Sequence, residues 1–322
     1  MNEIAIYLLK SSLWTGILWT FYQIFLRKET FFRFNRFFLI SGLLLIIIAP
    51  ILRFHYSVTP DMNGTLAFIA RTTALSEPTG KFNLVPILLL FYIVIALSII
   101  ARHGIFLYKI DCIIKKHGGA KIITTPNFKD SFSLFGYVFL DSSFRKTPME
   151  KEMILQHELA HIEQRHSIDL LAAHLLCVFQ WFNPFAWLYL SAIRQNHEFL
   201  ADAAVVKLGH STPLYRAAIV NNQFGATLIS FAHSFSHGRP NRIGMIGHAP
   251  SSPWRKMSVA LLLPIVIFLF VVFAKPVFKT TPLTNESREI RSYRIQGVVE
   301  GGSGKLKQII IKRLTLDQNT EM

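Results

Sequence analysis

Four long apolar stretches constrain this chain more than any other feature of its sequence. A helix needs roughly 20 apolar residues to cross the hydrocarbon core of a bilayer. Composition agrees with a membrane protein, because 51% of the residues are hydrophobic and only 16% are charged, against roughly 25% charged in a typical soluble domain. We therefore predict an α-helical, multi-pass membrane protein. Its four transmembrane helices are expected at about residues 4–26, 37–54, 84–101 and 257–274.

Basic residues beside these stretches predict the orientation of the chain. The formal net charge is +15, and lysines and arginines collect in the first connection, after the third span and before the fourth. Cytoplasmic loops of membrane proteins are enriched in Lys and Arg. We therefore expect residues 27–36 and 102–256 in the cytoplasm and both termini outside. The basic residues form no dense run, so we predict no direct binding of nucleic acid.

These spans divide the chain into four parts. Residues 1–101 are predicted to hold three transmembrane helices, 102–256 a cytoplasmic domain, 257–274 the fourth helix, and 275–322 a short extracytoplasmic tail. Two β-like runs in the tail, at 293–299 and 306–314, suggest a small hairpin.

A metal-binding pattern lies in the large cytoplasmic segment. Residues 147–150 form a capping box with proline at the first helical position, which predicts the start of a helix. The helix contains an HExxH sequence at 157–161. Positions i and i+4 share a helix face, so His157 and His161 can bind one zinc ion. Glu158 is then placed to take a proton from zinc-bound water.

A catalytic zinc site needs a third protein ligand beside the two histidines. Glu198 is the natural candidate, and Asp202, one helical turn later, can accept a proton from a ligand histidine. A solvated helix face is the alternative interpretation of these two carboxylates, and His197 is a weaker alternative ligand. The first helix is expected to run to about His166. Since His166 lies roughly 140° around that helix from His161, we predict a surface or interface position for it.

Residues 168–193 are nearly all apolar and raise the question of a fifth span. A fifth span would put the HExxH helix and Glu198 on opposite sides of the bilayer, where they could not share a metal ion. The pair Asn183-Pro184 is typical of a helix that stops and restarts. We therefore predict two helices folded back as a hairpin, the second running from Pro184 to a C-cap at Gly209.

Two short strands are predicted upstream of the metal-binding pattern. They cover 120–125 and 131–140, with Gly136 as a candidate bulge. An extended peptide can pair with an exposed strand edge, so Ser133, Phe135 and Gly136 are candidate substrate-binding residues. The candidates for stabilising an oxyanion are Arg194, Tyr215 and Arg216, and His174 is expected in the core or at an interface.

This arrangement resembles the integral-membrane zinc metallopeptidases of the bacterial beta-lactam sensor-transducer (antirepressor) family. The resemblance covers about residues 1–275. It is carried by the four spans and by the sequences SFSLFG at 131–136, HELAH at 157–161, WFNP at 181–184 and HEFLAD at 197–202. It implies a mostly helical, gluzincin-like peptidase domain with a small β-sheet and one zinc ion per chain. The implied ligands are His157, His161 and Glu198, and the implied catalytic base is Glu158.

The resemblance also implies a cellular role. Family members lie in the bacterial inner membrane and cleave themselves or a cytoplasmic transcriptional repressor after an extracellular signal; a homodimer is a further expectation. The best-known members carry a penicillin-binding domain with an SxxK serine, which residues 275–322 do not contain. We therefore do not expect this chain to sense a beta-lactam directly. The SxxK match at Ser143 is attributed to chance. Self-cleavage within 221–256, around His233 and His237, is a hypothesis.

The leading hypothesis is thus a membrane-embedded zinc endopeptidase that acts in signal transduction. The alternative from another class is a signalling scaffold that cleaves nothing and holds a structural zinc ion. A transporter or channel is disfavoured, because the predicted spans contain almost no ionisable residues and transport pathways usually need them.

Overall fold

The computed structural model describes residues 3–52, 55–58, 84–126, 128, 130–141, 147–227 and 239–278. These residues form a mostly helical protein with a small sheet, as the sequence predicts. The helices are α1 (Glu3–Phe21, extended by a π-helical turn at Tyr22–Leu26), α2 (Phe32–Ile48), α3 (Val85–Lys116), α4 (Pro148–Glu163), α5 (His166–Phe179), α6 (Pro184–Lys207), α7 (Thr212–Thr227), α8 (Arg239–Met245) and α9 (Leu262–Val272, preceded by a 3-10 helix at Pro253–Leu261). The strands are β1 (His55–Val58), β2 (Ile122–Thr125), β3 (Phe132–Leu134), β4 (Tyr137–Asp141) and β5 (Lys275–Phe278).

Three helices among the described residues are long and apolar enough to cross a membrane. They are Glu3–Leu26, Val85–Lys116 and Pro253–Val272, and they correspond to the first, third and fourth predicted spans. The second predicted span, 37–54, corresponds to α2, whose 17 residues are fewer than the roughly 20 that a bilayer core requires. The count of four spans therefore stays a prediction.

The chain divides into two compact units. The larger unit, residues 1–55 and 78–275, contains every helix named above and the sheet of β2, β3 and β4. The smaller unit is described only at 56–58 and 276–278, where β1 pairs with β5. The tail hairpin predicted at 293–299 and 306–314 lies outside the described residues.

Helix α6 lies at the centre of the larger unit and packs against α1, α2, α4 and α5. Its N-terminal half contributes Tyr189 and Ile193 to an apolar core that also contains Trp14 and Leu18 of α1 and Leu39 of α2. The buried Tyr189 hydroxyl donates to the Leu39 carbonyl at 2.8 Å, so burial does not leave this hydroxyl unpaired. The core thus fixes α6 against the N-terminal helices.

Polar side chains hold the turn between α5 and α6 against α1. Gln180 Nε2 donates to Ser11 Oγ at 2.6 Å, and Gln180 Oε1 accepts from Thr15 Oγ1 at 3.2 Å and from Asn183 Nδ2 at 2.6 Å. The Asn183 side chain also accepts a backbone N–H of the first turn of α6 at 3.0 Å. The apolar segment 168–193 therefore forms the predicted helix hairpin.

The sheet differs from the prediction at residues 131–140. Its strand order is β2-β4-β3, with β4 parallel to β2 and antiparallel to β3. The stretch predicted as one strand with a bulge is a hairpin, turned by Phe135 (φ 44°) and Gly136 (φ 92°). A positive φ is uncommon for a residue other than glycine, so the sequence does not predict Phe135 as a turn residue. The hairpin leaves β3 at the edge of the sheet.

Gly42 lets α2 approach α6 closely, and this contact is testable. A Cβ at Gly42 would collide with the Tyr189 hydroxyl. We predict that Gly42→Ala lowers the free energy of unfolding by about 1–3 kcal/mol, the usual cost of overpacking a core. Thermal unfolding in detergent measures the loss. Gly104→Ala on α3 is the matched control, because a Cβ there meets nothing within 4 Å. Equal losses at both glycines would contradict the prediction.

Candidate active site

The start of α4 is fixed by the predicted capping box. The Thr147 hydroxyl accepts from the Glu150 N–H at 3.2 Å, and the Glu150 carboxylate accepts from the Thr147 N–H at 2.8 Å. The end of α4 differs from the prediction. The helix stops at Glu163, and Arg165 takes a left-handed φ of 55° before α5 begins at His166. His166 therefore belongs to a different helix from the HExxH sequence.

His157 and His161 of α4 meet Glu198 of α6. The two histidine Nε2 atoms are 3.1 Å apart, and the Glu198 oxygens lie 3.5 Å from His157 Nε2 and 3.6 Å from His161 Nε2. Within the described part of the chain, these three residues form the group whose donor atoms could hold a metal ion. Tetrahedral zinc bonds its nitrogen and oxygen ligands at about 2.1 Å, which separates the ligand atoms by roughly 3.4 Å. The donors therefore fit such an ion in both chemistry and spacing.

Glu158 lies beside these donors and is buried, with 6% of its surface exposed. Burial raises the pKa of its carboxyl group above the ordinary value, although His157 and a hydrogen bond from Ser133 oppose the shift. A raised pKa suits a carboxyl group that both takes up and releases a proton. Ser133 also lines the cleft around the site, whereas Phe135 and Gly136 form the hairpin turn outside its lining.

The cleft has a volume of about 370 Å³. Residues of β3, α4, α5, α6, α7 and α8 line it, so every element between the sheet and α8 contributes to the site. The volume lies in the range of about 300–1,000 Å³ that is typical of ligand pockets. One wall is lined by Phe132 and Ser133 of β3, the outer strand of the sheet.

Asp202 and Tyr215 lie behind His157. The Tyr215 hydroxyl is 3.0 Å from His157 Nδ1 and donates to Asp202 Oδ1 at 2.8 Å, while Asp202 Oδ1 is 3.2 Å from His157 Nδ1. Against the effect of burial, hydrogen bonds to Asp202 and Glu198 raise the pKa of His157 to about 9. Burial and the neighbouring His157 lower the pKa of His161 to about 3. A metal ion would compete with the proton on His157, because a ligand histidine must be neutral.

Arg242 of α8 is a site residue that the sequence did not reveal. Its guanidinium group lies 2.7 Å from Glu198 Oε2 and bonds both Asp202 oxygens, at 2.7 and 2.8 Å. Although burial raises the pKa of both carboxyl groups, the charge of Arg242 holds each pKa below its ordinary value. No motif surrounds Arg242, and it follows Asp202 by 40 positions. Only the docking of α8 onto α6 brings it to the site.

Two further histidines lie close to the ligand cluster. His166 was expected to face away from the ligand cluster, at the surface or an interface, but it is buried with its Nδ1 2.7 Å from His161 Nδ1. That prediction was wrong because α4 ends before His166, so helix angles counted from His161 do not apply. His197, the alternative ligand, instead places its Nε2 2.9 Å from Asp169 Oδ2 and stacks its ring on His166.

The three candidates for oxyanion stabilisation have different surroundings. Arg194 lines the cleft and lies 2.9 Å from Nε2 of the part-buried His174. Tyr215 also lines the cleft, but its hydroxyl is engaged by Asp202. Arg216 donates to the carbonyl of Ile246. Of the three, Arg194 is the charged group that faces the cleft.

Residues 140–246 match the family described as BlaR1 peptidase M56. Over these residues the chain is similar to the M56 peptidase family. The match confirms the resemblance inferred from the motifs, and its range includes the three donors, Glu158, Asp202 and Arg242. This similarity points to a metal-dependent peptidase associated with a membrane. Separate searches of curated proteins and of solved structures each found no match.

The ligand assignment predicts the metal content of purified variants. We expect about one metal ion per chain in the wild type, as in a catalytic site with three protein ligands. His157→Ala and Glu198→Ala should each lose the ion, as measured by elemental mass spectrometry after dialysis. His174→Ala is the control, since this histidine bonds Arg194 outside the cluster. Retention of metal without Glu198, together with its loss in His197→Ala, would contradict the assignment and favour His197 as the ligand.

Proposed function

We propose that this protein is a membrane-embedded zinc endopeptidase that acts in transmembrane signalling and cleaves itself or a cytoplasmic regulator. The observation that carries the proposal is the convergence of His157, His161 and Glu198 beside the buried Glu158, within the M56 region. Two imidazoles and one carboxylate form a known ligand set of catalytic zinc in peptidases. No cysteine lines the cleft, and an imidazole-carboxylate donor set suits zinc.

The ion at this site would supply a water of lowered pKa and would polarise the scissile carbonyl. Glu158 accepts a proton on its carboxylate and then donates it to the leaving amine. Its burial favours the protonated form, which keeps the proton available for this second transfer. Ser133 holds the carboxylate by a hydrogen bond. Asp202 and Tyr215 hold His157 in one orientation, so the ligand ring keeps its place during the reaction.

The substrate is proposed to bind as an extended segment along β3. This strand lies at the edge of its sheet and packs against α4, which carries Glu158. Phe132 and Ser133 line the cleft. Pairing with a strand edge fixes a peptide through its main chain. A peptide bound in this way would have its scissile bond beside the carboxylate of Glu158.

The proposed topology places residues 27–36 and 102–256 in the cytoplasm of a bacterial cell and both termini outside. Contacts between the first connection and the segment before α9 support a position of both on the same side of the membrane. Arg255 lies 2.8 Å from Glu29, and the Ser251 N–H donates to the Thr30 hydroxyl at 2.7 Å. These contacts complement the distribution of basic residues.

The role of Glu158 separates an enzyme from a scaffold. We predict that Glu158→Gln reduces cleavage by roughly 100-fold to 10,000-fold, the range for losing a general acid-base group, while its metal content is unchanged. Mass spectrometry of the purified chain, incubated alone and with unfolded casein, measures cleavage. Glu152→Gln is the control on the same helix, because this side chain is exposed and bonds only Gln156 among the described residues. Undiminished signalling by Glu158→Gln would favour the scaffold.

Labelling of the natural cysteines tests the topology, so no new cysteine has to be introduced. Cys112, near the C-terminal end of α3, is exposed, and Cys177 is buried. A membrane-impermeant maleimide should label inside-out vesicles and leave intact spheroplasts unlabelled, because the proposal puts Cys112 in the cytoplasm. Cys112→Ser should abolish the labelling. Strong labelling of spheroplasts that Cys112→Ser removes would reverse the proposed orientation.

A further inference from the structure

A second histidine pair adjoins the metal site and takes no part in the proposed chemistry. His161 turns its Nε2 toward His157 and Glu198, and its Nδ1 lies 2.7 Å from Nδ1 of His166. A neutral imidazole donates through one nitrogen and accepts through the other. If Nε2 of His161 binds a metal, its proton is on Nδ1. His161 then donates to His166, whose Nδ1 must be the acceptor.

His166 is itself held in place by a chain of close contacts. Its ring lies parallel to that of His197, with 4.0 Å between ring centroids and an interplanar angle of 2°. His197 Nε2 lies 2.9 Å from Asp169 Oδ2, and the same oxygen accepts from Arg36 Nε at 2.7 Å. His166, His197 and Asp169 are all buried. The contacts therefore run from α2, through α5 and α6, to a ring of α4.

We propose, building on the metal site of the proposed function, that His166 is a positioning residue that orients the ligand His161, and that Arg36 couples this orientation to α2. A ligand histidine usually donates its second N–H to a carboxylate, a carbonyl or water. Here the acceptor is the imidazole of His166. The ring of His166 stacks on His197, and His197 in turn contacts the carboxylate of Asp169. The acceptor is thus positioned by packing and by a distant ion pair.

Arg36 is well placed for this coupling. Besides its bond to Asp169, its guanidinium donates to the Gln164 carbonyl at 2.7 Å, at the junction where α4 ends and α5 begins. One side chain of α2 therefore holds both the carboxylate that fixes His197 and the backbone that precedes His166. A movement of α2 that withdraws Arg36 would release both supports together.

Metal affinity of the full-length chain in detergent tests the role of His166. We use Co²⁺ and Zn²⁺ in competition with a chromophoric chelator. His166→Phe keeps a ring to stack on His197 but removes the acceptor, and it should weaken affinity by about 10-fold to 100-fold, the usual effect of losing such a partner. The absorption spectrum of bound Co²⁺ should also change. His166→Asn returns an acceptor oxygen and should recover part of the affinity. Wild-type affinity in His166→Phe, or no recovery in His166→Asn, overturns the proposal.

The coupling to α2 is tested in the same assay. Arg36→Gln should weaken Co²⁺ binding and shift its spectrum in the same direction as His166→Phe, by a smaller factor. Arg33→Gln is the matched control, since Arg33 is an exposed arginine on the same helix. Identical affinities for the Arg36 and Arg33 variants overturn the coupling.

A wild-type chain that binds no metal would instead refute the proposed function, whereas loss of metal only in His157→Ala leaves that function intact and refutes the role of His166.

Discussion

Helix α6 has to satisfy two environments within 24 residues, and the other elements are arranged around it. Its first half packs among α1 and α2 through Tyr189 and Ile193. Its second half presents Glu198 and Asp202 to α4 and α8. Because a helix has a fixed rise and rotation per residue, contacts in the first half set the position of the carboxylates in the second. The geometry of the candidate metal site is therefore set by apolar packing of α6 against α1 and α2.

Charge determines how the remaining elements close over this helix. Buried carboxylates are tolerated when they are paired and hydrogen-bonded. Asp202 is buried among partners, because the Tyr215 hydroxyl of α7 and both Nε and Nη2 of Arg242 of α8 donate to it. The short helix α8 is thus held at the site by the guanidinium of Arg242. Ile246, directly after the helix, adds apolar packing against Met153 and Val205. One arginine links a segment without a recognisable motif to the chemistry of the cleft.

Patterns carried by neighbouring residues predicted much of this structure. The capping box at 147–150, the HExxH sequence and the helix break at Asn183-Pro184 each depend on a few adjacent side chains, and each lies where the sequence places it. The failures depend on tertiary contacts or on rare backbone conformations. The turn at Phe135 has a positive φ without a sequence signal, and Arg242 reaches the site only after α8 docks. His166 was misplaced because the end of α4 was set three residues too late.

Because Gln180 bonds Ser11 and Thr15, helix α1 and the α5–α6 hairpin pack together as parts of one unit. A fragment that begins after α3 would present the apolar side of α6 to water and would leave Gln180 without Ser11 and Thr15. During synthesis, by contrast, α1 and α2 leave the ribosome before α5 and α6 and are already present when the hairpin emerges. Helices α1 and α2 then form part of the surface against which the hairpin folds, so the packing of α5 and α6 depends on the N-terminal helices.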